Sequence, residues 1–189
     1  MFENIRADAM RAALQEKKPF YPIGFLRLLW EHEGLQVLVI YRFGRWLRDM
    51  RKYRYGWVIA APLCPAYWIL SFCARKAYDI DLDQSADIAP GIHITHFGGI
   101  EVRNCSIGPN CYIGQQVKLK PADDTEKGPV IGEGVYIGAH ARICGNVRIG
   151  NGATIGAGAV VAQDIPPYCM VLGNPGRITQ RDYDNRSFL

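Results

Sequence analysis

From Ile131 to Val161 the chain reads IGEGVYIGAHARICGNVRIGNGATIGAGAVV, with an aliphatic residue at every sixth position: Ile131, Ile137, Ile143, Ile149, Ile155 and Val161. The same beat is present upstream at Ile107, Ile113 and Leu119, across a polar interruption. The residue after each aliphatic is usually small (Gly108, Gly114, Gly132, Gly138, Gly150, Gly156, Ala162). The residue two before is slim (Cys105, Cys111, Val117, Val135, Ala141, Val147, Ala153, Ala159). Neither a helical period of 3.6 nor simple strand alternation produces this pattern.

A six-residue unit has too little apolar surface to stand alone and must stack on copies of itself. The pattern therefore predicts a parallel β-solenoid in which each step is one face of a narrow prism. The aliphatic and the slim residue point inward, the following Gly serves a tight corner, and neighbouring coils lie about 4.8 Å apart. With three six-residue faces per coil, residue 81 lies beneath residue 99. Leu82, Ile88, Ile94 and Ile100 carry the beat at the start of the column, and the phase then slips by one residue to Ile107. Such a slip implies a bulge or altered corner, a distortion that often borders a working site. Pro121 to Gly128 (PADDTEKG) breaks the repeat and is expected to loop out of the wall.

This stretch, with the tail Pro166-Pro167 through Gly173-Asn174-Pro175-Gly176-Arg177-Ile178, resembles the hexapeptide-repeat acyltransferases, most of all their serine acetyltransferase branch. The resemblance covers roughly residues 79–179. It implies a left-handed parallel β-helix, a homotrimer and acetyl-CoA as co-substrate, with no metal. It also implies that His96, in Ile94-Thr95-His96-Phe97-Gly98-Gly99, is the general base that takes the proton of the attacking hydroxyl. A neutral imidazole suits that task because an alcohol is a weak nucleophile. Asp81, in Ile80-Asp81-Leu82, matches the acidic member of the dyad and would orient the imidazole; Asp83 and Asp87 are nearby alternatives. Gly138, Ala139, Gly156 and Ala157 match positions that contact the cofactor, and Arg177 is available for its phosphates. The corners require the same glycines whether or not anything binds. Lys118, Lys120 and Lys127 add charge at the loop.

The chain departs from the serine acetyltransferase pattern at three places. Lys120-Pro121-Ala122 replaces a Gly-Gly-Thr, Lys127-Gly128 replaces an Arg-His pair that engages an amino-acid carboxylate, and Thr95 replaces the Asp before the catalytic His. Loss of groups that bind a small zwitterion argues for another acceptor.

The remainder of the chain suggests which. Apolar residues make up 49% of the sequence and charged residues 21%, which are globular values. Residues 1–76 hold 13 Lys and Arg against 6 Asp and Glu, whereas 77–189 hold 9 against 12. A basic, aromatic front half seeks an anionic neighbour: membrane surface, phosphate-bearing substrate or nucleic acid. Arg42, Arg45, Arg48 and Lys52 recur at helical spacing. They predict either a stripe that meets lipid headgroups, or a solvated face or one that covers the base of the column. Residues 2–18 read as a charged helix ended by Lys18-Pro19, and Leu26 to about Met50 as one or two helices broken near Gly34. Gly56 to Cys73 is long enough to approach a bilayer crossing, but Pro62 and Pro65 favour an interfacial or packed segment. The six cysteines show no CxxC pairing, so Cys105 and Cys111 read as buried thiols. A polar, charged N-terminus points to a reducing, cytoplasmic setting.

These readings combine into a mainly β protein in three parts: an N-terminal helical segment (1–77), a left-handed parallel β-helix (78–179) and a polar tail (180–189). The expected activity is acetyl transfer from acetyl-CoA to a sugar hydroxyl in surface polysaccharide synthesis. The acceptor would be a small or lipid-linked saccharide at the inner membrane face, with no nucleic acid partner. Serine O-acetylation is the alternative. Remoter ones are a zinc site of the carbonic-anhydrase kind, suggested by His93, His96 and His140, and a β-helix without turnover.

Overall fold

The computed structural model describes residues 1–15, 22–95, 98–123 and 127–186. Strands come in threes, one for each face of the prism. The first coil holds β1 (Ile80–Leu82), β2 (Asp87–Ile88) and β3 (His93–Ile94); the second holds β4 (Ile100–Val102), β5 (Ser106–Ile107) and β6 (Tyr112–Ile113). The third holds β7 (Lys118–Lys120), β8 (Val130–Ile131) and β9 (Tyr136–Ile137), and the fourth β10 (Arg142–Cys144), β11 (Arg148–Ile149) and β12 (Thr154–Ile155). The column closes with β13 (Val160–Val161), β14 (Met170–Leu172) and β15 (Arg177–Gln180). Stacking gives three sheets, β1-β4-β7-β10-β13, β2-β5-β8-β11 and β3-β6-β9-β12-β14-β15, parallel throughout except for the β14–β15 pair. This is the mainly β parallel β-helix with an N-terminal helical segment that the hexad predicts, left-handed as the family resemblance implies.

The core is the pair of inward slots repeated up the column. Ile107, Ile113, Leu119, Ile131, Ile137, Ile143, Ile149, Ile155 and Val161 are buried, as are the slim partners Cys105, Cys111, Val117, Val135, Ala141, Val147, Ala153 and Ala159. Each such aliphatic is worth about 1.5–3 kcal/mol when fully buried. Burial pushes the Cys111 thiol up to about 11 and that of Cys105 up to about 12, so both act as small hydrophobes.

Three details differ from the sequence reading. Val102, not Ile100, stands in line with Leu82 and Leu119, and Ile100 takes the slim slot. The single slip is therefore two opposite ones, a lengthened corner between Ile94 and Val102 followed by a shortened one before Ile107. Asp81 accordingly lies against Glu101 rather than residue 99. The glycine after each aliphatic is needed for a different reason than the one expected. A Cβ on Gly114 would stand 2.7 Å from the Ala139 nitrogen, and one on Gly138 2.7 Å from the Ala157 nitrogen, so these positions need glycine because coils approach closely. Left-handed φ falls two residues later, at Gln116 (56°), His140 (62°) and Gly158 (70°).

Among the described residues, four helices precede the column: α1 (Phe2–Gln15), α2 (Pro22–Glu31), α3 (Glu33–Met50) and α4 (Gly56–Tyr78). The α2–α3 break falls at His32, and Gly34 lets α3 touch the Ile94 carbonyl where any Cβ would collide. Asp8 of α1 is only 1% exposed and Arg42 of α3 only 5%. Asp8 Oδ1 accepts from the backbone N–H groups of Gly91 (2.7 Å) and Ile92 (3.1 Å), and Arg42 Nε donates to its Oδ2 at 3.1 Å. Arg42 also donates to the carbonyls of Ile88 and, at 2.7 Å, Ala89. Burial raises the Asp8 carboxyl above its ordinary value, and Arg42 with the two N–H groups opposes that shift. One buried ion pair thus binds two helices to the first coil.

The basic stripe is turned onto the column. Arg45 donates to the Ala86 carbonyl (3.1 Å) and to Asp87 (2.8 Å), and Arg48 to the Gln84 carbonyl (2.7 Å). Arg42 is buried and Arg45 half-buried against the column, Arg48 reaches it from an exposed position, and Lys52 pairs with Asp49 instead; for the three arginines, covering the base of the column is the reading observed. Helix α4 runs unbroken through Pro62 and Pro65, both on its exposed side, where a missing N–H leaves the buried seam intact. At the other end, the tail has a structural role that the sequence did not reveal. Residues 181–186 fold back so that the Asn185 amide, buried, donates to the carbonyls of Gly134 (2.9 Å) and Ala153 (3.4 Å).

Asp8→Ala leaves a buried guanidinium without its carboxylate. The expected loss is about 3–5 kcal/mol in urea unfolding, with acid-side tolerance no greater than wild type; a loss below about 1 kcal/mol would show that the ion pair is not what joins helices to column.

Candidate active site

The corner that joins the β3-β6-β9-β12-β14 face to the β1-β4-β7-β10-β13 face carries Gly138, Ala139, Gly156 and Ala157. Backbone N–H groups of Thr95, Gly114, Gly138 and Gly156 donate to the carbonyls of Ile113 (3.1 Å), Ile137 (2.8 Å), Ile155 (2.7 Å) and Val171 (2.8 Å). These four residues form one vertical line. Ala139 and Ala157, the residues that follow Gly138 and Gly156 along the chain, are half-buried and exposed, and both are small. Arg177 is exposed on β15, opposite Leu172 at the top of the same edge. The edge is a smooth, narrow track with a cation at one end.

His96 lies outside the described residues. The residues that bracket it are placed: Thr95 at the foot of the line, and Gly98 below Gln116, whose N–H donates to the Gly98 carbonyl at 3.0 Å. The Thr95 hydroxyl donates to the Ile113 carbonyl (3.1 Å), so the side chain standing in place of a carboxylate is occupied by the wall. Gly99 and Ile100 donate to the Asp79 carbonyl at 2.7 and 3.2 Å, which brings the lengthened corner within two residues of Asp81.

Asp81 sits in a line of charge that the sequence reading did not identify. Its Oδ2 accepts from Arg103 at 3.2 Å and its Oδ1 lies 3.8 Å from Arg75. Arg103 also reaches Glu101 at 3.0 Å, and Lys118 lies 3.8 Å from the other Glu101 oxygen. Strand register makes this arrangement possible, since Asp81 is level with Glu101 and Glu101 with Lys118. The charged residues Asp81, Glu101, Arg103 and Lys118 were visible in the sequence, but their pairing needed the true coil lengths to be read. Asp83 and Asp87 point to other work: Asp83 accepts from the Ser85 N–H (2.6 Å) and Asp87 pairs with Arg45. Lys120 and Lys127 are exposed where the polar loop leaves and rejoins the wall.

His93 packs at a tilt against Tyr112 (5.4 Å between ring centres) and Tyr112 stacks on Tyr136 (4.6 Å), an aromatic ladder up the adjoining face. Burial, then Tyr112, raises the Tyr136 phenol above its ordinary value. Among the described residues, no three His, Cys, Asp or Glu side chains gather to hold a metal ion.

Residues 128–163 match the model of the bacterial transferase hexapeptide (six repeats). A serine acetyltransferase of Synechococcus elongatus is 32% identical over 184 residues, covering 96% of this chain and 70% of that protein. The chain belongs to the serine acetyltransferase family. Among solved structures, the Neisseria gonorrhoeae serine acetyltransferase in complex with serine is 27% identical with a TM-score of 0.72, covering 93% of this chain and 67% of that one. A serine acetyltransferase in complex with CoA is 27% identical with a TM-score of 0.75, covering 94% and 68%. This chain thus spans about two thirds of the length of those proteins.

The family is one of acetyl-CoA-dependent acyltransferases, the enzyme class and co-substrate expected from the sequence. The saccharide acceptor is overturned: the relatives and structural neighbours are serine acetyltransferases. The basic stripe that motivated a lipid-linked sugar is bonded to the column.

Gly138→Ala must push two coils apart and is expected to cost about 1–3 kcal/mol in denaturant unfolding. Arg103→Ala removes only exposed ion pairs and should cost no more than about 1 kcal/mol. Equal tolerance at both positions would contradict the close stacking of the edge.

Proposed function

We propose that this protein is a serine O-acetyltransferase that moves an acetyl group from acetyl-CoA to the hydroxyl of L-serine. The observation that carries this reading is the family relationship, which runs along 96% of the chain and so includes the helices as well as the column. Support from the geometry is the narrow edge, with Gly138, Ala139, Gly156 and Ala157 along it and Arg177 at its end.

In this reading the CoA lies along that edge, with its phosphates toward Arg177 and its thioester toward the Thr95–Gly98 corner. His96 takes the proton of the serine hydroxyl as that oxygen attacks the thioester carbonyl. The tetrahedral intermediate then collapses, the C–S bond breaks, and the CoA thiolate leaves and recovers the proton from the imidazolium. Asp81 holds the imidazole in the tautomer that presents its free nitrogen to serine, and Arg103 and Arg75 fix the carboxylate for that task. Lys127 keeps a positive charge where the family pattern has an Arg, available to the serine carboxylate. Small residues on the edge allow close approach, but a second chain is needed to shut water out of it. We therefore assign a homotrimer with the site in the groove between neighbours, and a cytoplasmic setting where acetyl-CoA and free serine are both present.

Purified protein supplied with acetyl-CoA and L-serine is expected to release CoA thiol and form O-acetylserine. His96→Ala should lower kcat/KM by about 10²–10⁴-fold, and undiminished turnover in that variant would refute the mechanism. Ala157→Trp, at an exposed position, should raise KM for acetyl-CoA about tenfold or more without changing thermal stability; an unchanged KM would move the cofactor off this edge.

A further inference from the structure

Helix α4 is a large surface that the proposed chemistry leaves unused. From Gly56 to Ala74 it carries no charged residue: GWVIAAPLCPAYWILSFCA. It is long and apolar enough to cross a membrane, yet little of it is buried. Gly56, Ala60 and Ala74 are the buried residues, on the side where Tyr67 meets Phe43 of α3 (6.3 Å between ring centres) and the Gln84 side chain (3.0 Å). Outside that narrow seam, Trp57, Val58, Ile59, Trp68, Ile69 and Phe72 are exposed, Trp68 at 66% and Ile69 at 58%.

The exposed surface is too wide for a single helix partner. Trp57-Val58-Ile59 and Trp68-Ile69-Leu70 are runs of three consecutive exposed residues, each of which sweeps about 200° around a helix of 3.6 residues per turn. A helix packed on one neighbour needs an apolar stripe of roughly 100°. An apolar surface this broad, on a helix with no polar face of its own, suits immersion in hydrocarbon.

Charge indicates the kind of hydrocarbon. Arg51, Lys52 and Arg54 stand in the turn before α4, and Arg75 and Lys76 in its last turn, all exposed. Exposed Tyr53, Tyr55 and Trp57 cluster at the first of these ends. Cations at both ends of an apolar segment, with aromatic side chains beside them, complement anionic headgroups at a membrane–water boundary. At its far end α4 meets, through Tyr78, an open apolar groove of about 710 Å³ lined by Leu29, Val39 and Ile40, with Trp30 at its rim. The helix cannot span a bilayer as placed. Its seam is held by α3, and α3 is bonded along its other side to the first coil through Tyr41, Arg42 and Arg45.

We propose that α4 is a membrane-docking helix that lies in the surface of an anionic lipid bilayer, its seam on α3 and its remaining circumference in the acyl region. The protein body takes the place of the polar face that an interfacial helix ordinarily supplies for itself. The inference is independent of which acceptor is acetylated, and its test uses no turnover.

The test is flotation of the full chain with vesicles of phosphatidylcholine containing about one third phosphatidylglycerol, which supplies the negative surface potential that attracts basic residues, against vesicles of phosphatidylcholine alone. The protein should rise with the anionic vesicles and at least tenfold less with the neutral ones. Trp68→Glu with Ile69→Glu should abolish flotation while the far-UV circular dichroism stays that of wild type. Should that variant fail to fold, Arg51→Glu with Arg54→Glu leaves the apolar surface intact and is expected to cut binding to anionic vesicles about tenfold. Wild-type protein left at the bottom of the gradient overturns the proposal, as does unchanged flotation of either variant. A fall in molecular mass by light scattering for the folded Trp68→Glu, Ile69→Glu protein also overturns it, because α4 would then be covered by a second copy of the chain.

Discussion

Everything in this molecule depends on coils stacking closely enough that the backbone of one can accept hydrogen bonds from the next. That demand places a glycine or another minimal residue on each line where coils meet, because a Cβ at Gly114 or Gly138 would reach the backbone above it. It also allows only an aliphatic and a slim residue inside each face, since three short walls enclose little volume. The result is a rigid column whose corners are set by covalent geometry, and a corner is the only part of it free to vary. The corner between Ile94 and Val102 does vary. It is longer than its neighbours, and it holds the segment from which acid–base chemistry is proposed.

The helices have a different logic. They do not extend the column but grip its first coil through Asp8, Arg42, Tyr41 and Arg45, most of it buried. A charged side chain in this position is favourable only because every partner is present at once, two N–H groups and a guanidinium for Asp8 and two carbonyls for Arg42. This fixes the direction of α3 relative to the prism, and α3 in turn fixes α4. The apolar surface of α4 is thus held outward by polar contacts on the opposite side of the helix pair.

The fold was legible because the hexad period has few physical solutions, and Ile131 to Val161 states it without interruption. Reading was weaker where period and geometry part. Ile100 fits the beat, yet Val102 fills the slot, because the extra residues sit in a corner that leaves no periodic trace. The charge of Arg42 and Arg45 was legible but its direction was not, since a helical stripe looks the same whether it faces lipid or carbonyls. That ambiguity produced the saccharide acceptor, which the serine acetyltransferase relatives overturn. Of the site, the edge from Gly138 to Ala157 was legible through the repeat, whereas the partners of Asp81 were not, because Arg103 becomes its neighbour only once coil lengths are known. The tail gave no signal at all, and Asn185 binds wall carbonyls through a fold-back that no local pattern encodes.

What remains is the bond between a structural line and a chemical one. Glycine at Gly114 and Gly138 is required by stacking, and the account holds that the same smallness, continued at Ala139, Gly156 and Ala157, opens a track for a long thioester. A crystal structure of the protein with CoA tests this most directly. The account predicts CoA stretched along that edge between two chains, its phosphates by Arg177 and its sulfur beside His96. CoA bound on another face of the prism, or an edge sealed by a neighbouring chain with His96 remote from the sulfur, would contradict it.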